Sequence, residues 1–344
     1  MLTSYREFLD FKKFKKTKNI VLIITGGTIV SKAQNKNQGV SPATNLLKDF
    51  SLINDYLEDR YRFDIGFLIV HPSNEFSENL KITDLLEIDR IIQKYTDRDD
   101  LIGFLLLHGT DTLSTTASFL KLYNRQKIIL ISVSSQRDMS RINTDSYSNI
   151  IAAILLVKKL WQHKIRGHYL LSAKTCNNYL LLEPFRTKKI STHHKWTFRG
   201  LVCLSFNRNL NKIEFNSKLL NSLEYECFEL QNYIERSRVD CNLFKKNTVE
   251  ILYNIPLNKD IVLNCQTRYL IISTGYGILN NSLFEEVKKL KWKPLIFSQC
   301  IIGRPSYNVY SHGGPMLDWV LLDKRNRTIE FWYIFFRLYH SSFN

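Results

Sequence analysis

Polar side chains that can do chemistry directly follow three apolar runs of this sequence. The sequence TGGT at 25–28 follows the first run, HGTDT at 108–112 follows the second, and SSQR at 134–137 follows the third. In an open parallel sheet the ligand crevice lies beyond the carboxyl ends of the strands, so the three segments would converge there. Threonine hydroxyls beside a carboxylate are groups of nucleophilic and proton-transfer chemistry. The pattern therefore predicts a polar cluster that can act on a ligand.

Structural roles remain open for the same residues. TGGT is also typical of a plain strand-to-helix turn or a phosphate loop, although it lacks the third glycine of a dinucleotide fingerprint and the lysine of a P-loop. Asp111 and Thr112 precede a helical pattern, where both residue types are common N-caps. His108 is interpreted as a structural residue that orients the turn, and the adjacent pair His193-His194 as an exposed basic turn rather than a metal site.

The elements that must position this cluster alternate between two periodicities. Short apolar runs bounded by glycine are typical of strands buried on both faces, and apolar residues at helical spacing separate them. The predicted strands are 19–25, 67–70, 101–107 and 127–132, and the predicted helices are 82–95, 112–124 and 144–161. Further on, strands are predicted at 269–273 and 294–298, and helices at 283–290 and 328–339. Alternation of this kind predicts an α/β fold with a doubly wound, mostly parallel sheet and a second, smaller α/β domain.

Composition and charge narrow the class of protein. The predicted organisation is a basic N-terminal extension (1–18), a first α/β domain (19–200), a connecting segment (201–248) and a smaller C-terminal α/β domain (249–344). No apolar run approaches the roughly 18 residues that a membrane span requires. The six cysteines form no CxxC pair, which indicates reduced thiols in a cytoplasmic protein. The net charge is +16, and residues 156–200 hold ten basic residues against one acidic residue. A tRNA-facing surface and a simple compositional bias explain this charge equally well.

The three polar segments resemble, in order, the motifs of the L-asparaginase and glutaminase family of amidohydrolases. Two later stretches resemble the family as well: RTKKIST (186–192) with Phe198, and SQC (298–300) with Gly303-Arg304. Details in SEN (77–79), QRDMSRINTD (136–145) and SQCIIGR (298–304), followed by NVYS (308–311), are most similar to one branch. That branch is the D subunit of the archaeal glutamyl-tRNA(Gln) amidotransferase.

The resemblance implies roles for seven residues, each matched to a family motif. It implies a catalytic set and a substrate-binding set, namely Thr28, Thr110, Asp111 and Lys189 for catalysis and Gly27, Ser77 and Glu78 for the substrate. Thr28 corresponds to the nucleophile, and Thr110, Asp111 and Lys189 to a second reactive group. Which threonine attacks first is left open. No metal site is expected.

The branch also implies partners. Such a protein hydrolyses glutamine, and its partner, the E subunit, uses the ammonia with ATP and Mg²⁺ to convert Glu-tRNA(Gln) to Gln-tRNA(Gln). A heterodimer or a dimer of heterodimers is expected, with no cofactor in this chain and tRNA bound mainly through the partner. A free-standing asparaginase and a catalytically weakened scaffold are the alternatives. Two departures favour them: Asn35 stands where the family usually has a loop tyrosine, and only 24 residues precede Thr25, where the branch usually has a small extra domain.

Overall fold

The structure is a computed structural model in which the chain forms two compact units, residues 1–231 and 232–344. The residues it describes, to which all structural statements here refer, are 6–8, 18–33, 40–42, 46–72, 77–124, 127–192, 197–209, 211–215, 218–225, 229, 248–253, 262–273, 279, 281–298, 318–322 and 327–338.

The first unit contains a nine-stranded mixed sheet and two short hairpins. Its strands are β1 (Arg6–Phe8), β2 (Asn19–Ile24), β3 (Ser31–Ala33), β4 (Val40–Pro42), β5 (Gly66–His71), β6 (Leu101–Leu107), β7 (Ile129–Val133), β8 (Gly167–Ala173), β9 (Asn178–Leu182), β10 (Lys188–Lys189), β11 (Phe198–Arg199), β12 (Val202–Asn207) and β13 (Lys212–Phe215). Its helices are α1 (Leu46–Tyr61), α2 (Ile82–Thr96), α3 (Leu113–Tyr123) and α4 (Ser146–Gln162).

The large sheet has the order β1-β5-β2-β6-β7-β8-β9-β12-β13. Strands β5, β2, β6, β7 and β8 are parallel, whereas β1 at one edge and β9, β12 and β13 at the other pair in the antiparallel direction. All six residues of β2 are buried, as are six of the seven in β6, because helices cover both faces of the parallel part. The predicted doubly wound, mostly parallel sheet is confirmed.

The register between β2 and β6 places their ends at the same level. Ile24 pairs with Leu107, the last residues of the two strands. The chain therefore leaves the sheet on both strands side by side, at Thr25 and at His108. Parallel pairing alone brings the first two polar segments together.

The second unit holds a smaller, parallel sheet of four strands in the order β14-β15-β16-β17. Its elements are β14 (Val249–Tyr253), β15 (Arg268–Ser273), helix α5 (Asn281–Val287), β16 (Leu295–Ser298), β17 (Leu321–Leu322) and helix α6 (Ile329–Leu338). Helix α6 is aromatic, and the rings of Phe331, Trp332, Phe335 and Phe336 contact one another. The side chain of Arg268 stacks on Trp292 and Phe336, which holds α6 against this sheet.

Three features differ from the sequence prediction. Helix α1 is absent from it, although Leu46, Phe50, Ile53 and Leu57 recur at helical spacing and are buried. The predicted connecting segment 201–248 contains β12 and β13, which extend the sheet of the first unit. Helix α5 spans Asn281–Val287, so it begins two residues before the predicted helix 283–290 and ends three residues earlier. No helix in the described ranges is long and apolar enough to cross a membrane.

Candidate active site

The first polar turn is shaped by its glycines. Gly26 and Gly27 have φ values of 102° and 82°, in the region that residues with a Cβ rarely adopt. They redirect the chain into a short 3₁₀ turn, Thr28–Val30, at the end of β2. The Thr25 hydroxyl donates to the Leu107 carbonyl at 3.1 Å, so this side chain serves the fold. The half-buried Thr28 hydroxyl, by contrast, has no hydrogen-bond partner among the described residues.

Close backbone contact joins the first turn to the second. A Cβ placed on Gly27 would lie 2.4 Å from the Gly109 nitrogen, and one on Gly109 would lie 2.5 Å from the Ser77 hydroxyl oxygen. Ser77 is buried, and its carbonyl accepts a hydrogen bond of 2.8 Å from the Thr112 hydroxyl. Three separate segments are therefore in contact: the TGGT turn, the HGTDT turn and the SEN segment.

The second turn carries the most complete side-chain arrangement of the site. The Lys189 amine donates to the Thr110 hydroxyl oxygen and to the Asp111 carboxylate, each at 2.8 Å. Thr110 is buried, whereas most of the Asp111 side chain is exposed and Lys189 lies between these extremes. Lys189 is 78 or 79 residues away from its two partners in the sequence, and the three side chains meet as the resemblance implied.

Helix capping does not account for the HGTDT residues. Helix α3 has Thr112 at its N-cap position, but the Thr112 side chain makes no capping hydrogen bond and bonds to Ser77 instead. Asp111 is paired with Lys189. Thr112 therefore occupies the N-cap position without capping through its side chain, and the N-cap alternative is wrong for Asp111.

Lys189 is presented by a small two-stranded ladder. Lys189 in β10 lies opposite Phe198 in β11, and the Ile190 amide donates to the Thr197 carbonyl at 2.8 Å. The Gln136 side chain donates to the Thr197 hydroxyl at 2.7 Å. The third polar segment, SSQR, therefore supports the lysine strand from outside, and nothing in the described contacts brings it to Thr110.

The loop that contains SSQR is organised by Asp145. Its carboxylate accepts the backbone N–H groups of Gln136 and Arg137 at 3.0 and 2.9 Å, just before helix α4 begins. Further along, the Met139 amide donates to the Ser31 carbonyl at 2.9 Å, and the Ser31 hydroxyl donates to the Gly27 carbonyl at 2.7 Å. These contacts connect the loop to the chain that follows Thr28.

His108 lies fully buried directly ahead of the second turn. Its Nδ1 is 2.8 Å from the Gly109 carbonyl, which it meets as a donor when Nδ1 carries the proton. Its Nε2 has no partner among the described residues. Burial lowers the pKa of His108 from 6.5 to about 4, so the ring is neutral at neutral pH. The histidine orients the turn, as the sequence suggested, and adds no charge to the site.

Several predicted residues lie outside the described part. Glu78 lies in a 3₁₀ turn, Ser77–Asn79, but its side chain is not described. Asn35 and most of the SQCIIGR and NVYS stretches fall outside the described ranges as well. Among the residues that are described, no three His, Cys, Asp or Glu side chains gather as a metal site requires.

Sequence reasoning missed one charged cluster next to the site. Glu183, Lys121 and Arg186 form ion pairs behind the lysine ladder. Glu183 is the single acid in the basic stretch 156–200, and Pro184 follows it, but neither signal identifies its partner 62 residues away.

Similarity to known proteins identifies the family of this chain. The family profile described as "Asparaginase, N-terminal" matches residues 19–220, more than half of the chain. The D subunit of the glutamyl-tRNA(Gln) amidotransferase from Thermoplasma acidophilum is 28% identical over 330 residues, which cover 92% of this chain and 74% of that protein. The corresponding protein of Thermoplasma volcanium is 27% identical, with 91% and 75% covered.

Solved structures show the same fold at lower identity. The thermostable L-asparaginase from Thermococcus kodakarensis superposes with a TM-score of 0.69 at 17% identity, over 92% of this chain and 90% of that one. A probable cytoplasmic L-asparaginase from Campylobacter jejuni gives a TM-score of 0.63 at 18% identity, over 87% and 88% of the two chains. With the profile match, the motifs and the fold in agreement, this chain belongs to the asparaginase family.

Proposed function

We propose that this chain is the glutaminase component of a tRNA-dependent amidotransferase, hydrolysing glutamine to glutamate and ammonia. The observation that carries the proposal is the position of the Lys189 amine, 2.8 Å from both the Thr110 hydroxyl and the Asp111 carboxylate. A hydroxyl, an amine and a carboxylate in this contact can relay a proton. The curated relatives named above support the amidotransferase role.

In the proposed reaction, the Thr28 hydroxyl oxygen attacks the carboxamide carbon of glutamine. The hydroxyl proton must reach the amide nitrogen, which then leaves as ammonia and gives a glutamyl ester of Thr28. Water hydrolyses this ester, releases glutamate and restores the threonine. A threonine hydroxyl is a weak nucleophile without a base, so a relay close to it is required. This scheme assigns the first attack to Thr28.

The second turn supplies the relay in this scheme. Lys189 accepts the proton when its amine is neutral, and Asp111 stabilises the ammonium that forms. Backbone N–H groups around Gly27 and Thr110 are the candidates for stabilising the tetrahedral oxyanion. Ser77 and Glu78 are proposed to bind the α-carboxylate and α-amine of glutamine. Apart from water, the proposed scheme uses no cofactor.

The proposed partner is the E subunit of the amidotransferase, which would use ATP and Mg²⁺ to activate Glu-tRNA(Gln) and react it with the ammonia. The basic stretch 156–200 supports direct tRNA contact only weakly. Lys164 and Arg166 precede β8 and Lys174 follows it, so these cations lie at opposite ends of that strand. We therefore assign most tRNA binding to the partner.

The first test is ammonia release by the isolated protein and by Thr28→Ala. We expect the substitution to lower kcat by several orders of magnitude, because it removes the nucleophile. We also expect glutamine to be preferred over asparagine by roughly 10–200-fold in kcat/KM, the discrimination that one methylene allows. Near-wild-type ammonia release from Thr28→Ala would refute the site assignment, and a strong asparagine preference would favour a free-standing asparaginase.

Coupling to a partner separates the amidotransferase from that alternative. Ammonia release should be slow in the isolated chain and rise when the E subunit and Glu-tRNA(Gln) are added, because such a partner selects the active state of the site. Stimulation that involves tRNA phosphates should weaken as salt is raised. Full activity in the isolated chain, unchanged by either addition, would leave the asparaginase alternative.

A further inference from the structure

A buried carboxylate, that of Glu183, precedes the lysine strand β10 in the chain. Glu183 is 0% exposed, and its two carboxylate oxygens lie 2.7 Å from the Lys121 amine and 3.1 Å from the Arg186 guanidinium. An unpaired charge in such a place would be strongly destabilising, so the carboxylate fixes where both cations must stand. The Lys121 amine also lies 5.0 Å from the centre of the Phe185 ring, which closes the cluster on one side.

The two ion pairs of Glu183 have different structural roles, because Arg186 and Lys121 lie on different elements. Arg186 is three residues from Glu183 and belongs to the 3₁₀ turn that follows it, Pro184–Arg186, so that pair is local. Lys121 lies on helix α3, so the Lys121–Glu183 pair joins the turn to the helix. A second bond repeats the link, since the Ser118 hydroxyl on α3 donates to the Pro184 carbonyl at 3.0 Å.

The linked elements are the two that meet again in the site. Helix α3 begins at Leu113, shortly after Thr110 and Asp111, and the turn at 184–186 leads through Thr187 into β10 and Lys189. Inside the turn, the Glu183 carbonyl accepts the Thr187 hydroxyl at 2.7 Å, which stiffens the path between the ion pair and the lysine. Helix α3 with the turn before it and the 183–189 segment are thus joined twice, by the Lys121–Glu183 ion pair and by the Lys189–Thr110 hydrogen bond.

We infer that Glu183 is a positioning residue, which through Lys121 fixes the Lys189 segment on helix α3 and holds the Lys189 amine on Thr110 and Asp111. The inference rests on the proposed function for its effect on rate, but its geometric part stands without it. It predicts that breaking the Lys121–Glu183 pair lowers kcat more than breaking the local Arg186–Glu183 pair does.

The experiment compares Glu183→Gln, Lys121→Gln and Arg186→Gln, with Glu214→Gln as the matched control. Glu214 also pairs with a lysine at 2.8 Å, but on the exposed strand β13. Well below each variant's melting temperature, Glu183→Gln and Lys121→Gln should lower kcat for glutamine roughly 10- to 100-fold, the effect of displacing a reacting group by about 1 Å. KM should change by less than about twofold by the same argument, because no substrate contact is removed. Arg186→Gln should lower kcat clearly less, and Glu214→Gln should not change it. Lys121→Arg, which keeps a cation opposite Glu183, should retain a kcat close to that of wild type.

A second measurement reports the lysine itself. Acetylation of Lys189 by acetic anhydride, followed by peptide mapping and scaled to the exposed Lys188, should be several-fold faster in Glu183→Gln and Lys121→Gln. A Lys121→Gln variant that melts earlier but keeps wild-type kcat and Lys189 reactivity would overturn the inference, as would equal effects of Arg186→Gln. Should Glu183→Gln not fold, the two Lys121 variants and Arg186→Gln decide. Wild-type protein without amide hydrolysis would refute the proposed function instead, and the acetylation rates would still test the geometry.

Discussion

The two threonine turns of the site lie side by side but are held in different ways. The Thr28 turn is fixed by backbone packing, with Gly27 pressed against Gly109, and by two hydroxyls of its own segment, those of Thr25 and Ser31. The Thr110 turn is fixed by side chains that come from distant positions, above all Lys189. Backbone packing leaves the Thr28 hydroxyl without a partner in the described structure and thus available to a substrate. In the proposed function, this contrast separates a rigid turn that carries the nucleophile from a proton relay assembled by tertiary contacts.

The largest effect should come from breaking the relay. Lys189→Met removes the amine and keeps the aliphatic part of the side chain, so we expect kcat for glutamine to fall roughly 10²–10⁴-fold, the range for loss of a general acid–base group. Thermal unfolding should barely change, because the lysine head is partly exposed. Lys188→Met, on the opposite face of the same strand, is the control. Equal activity of the two variants would show that the relay is not part of the reaction.

Gly27→Ala should act on the fold rather than on the chemistry alone. The new Cβ would lie 2.4 Å from the backbone nitrogen of Gly109, at a φ of 82° that disfavours alanine. Because backbone cannot yield as a flexible side chain does, we expect a loss of about 2–4 kcal/mol in the free energy of unfolding, the range for strain combined with overpacking. Urea denaturation measures it. Unchanged stability would mean that the two turns are not packed as described.

Acid should weaken the second turn through His108. The folded pKa of about 4 lies below the ordinary value of 6.5, so the unfolded chain binds the proton more readily as the pH falls. This contribution is fully present above pH 6.5 and is lost toward pH 4, with an upper limit on the order of 3 kcal/mol. Buried His168, whose pKa burial lowers to about 3, acts in the same direction.

The variant His108→Asn keeps a donor for the Gly109 carbonyl and removes the titration. Urea unfolding at about pH 7.5, 6 and 5, a range that crosses the ordinary pKa of 6.5 and approaches the folded value of about 4, should therefore show a shallower loss of stability than in wild type. The same substitution at exposed His163 is the matched control for replacing a histidine with asparagine. The wild-type slope in His108→Asn would exclude this histidine as a source of the acid sensitivity.

The sequence anticipated the parts of the fold that depend on local periodicity. Strand β6 has the predicted bounds, α2 ends one residue later than predicted, and α3 is one residue shorter than predicted at each end. Sequence periodicity carries no information on strand direction, so the antiparallel edge formed by β9, β12 and β13 was beyond it. Helix α1 shows the helical spacing but mixes it with many charged residues.

The candidate site likewise has a part that could be predicted from the sequence and a part that could not. The contacts of Thr110, Asp111 and Lys189 agree with the grouping that the resemblance to the family implies, whereas strand order by itself predicts only that the TGGT and HGTDT turns lie side by side. Glu183 could not be found, because its significance depends on Lys121, and only the folded chain brings the two together.

The pairing of Ile24 with Leu107 has a further consequence for local unfolding of the protein. Both strands are buried in the centre of the large sheet, where amide hydrogens exchange with solvent only through the rarest, most extensive openings. The separation of the two threonines is therefore as durable as the core itself. The Lys189 strand is a ladder of only two residues, so we expect it to open at a lower free energy than the central strands. We therefore expect gentle heating to stop amide hydrolysis by detaching Lys189 from Thr110, while Thr28 and Thr110 keep their relative positions.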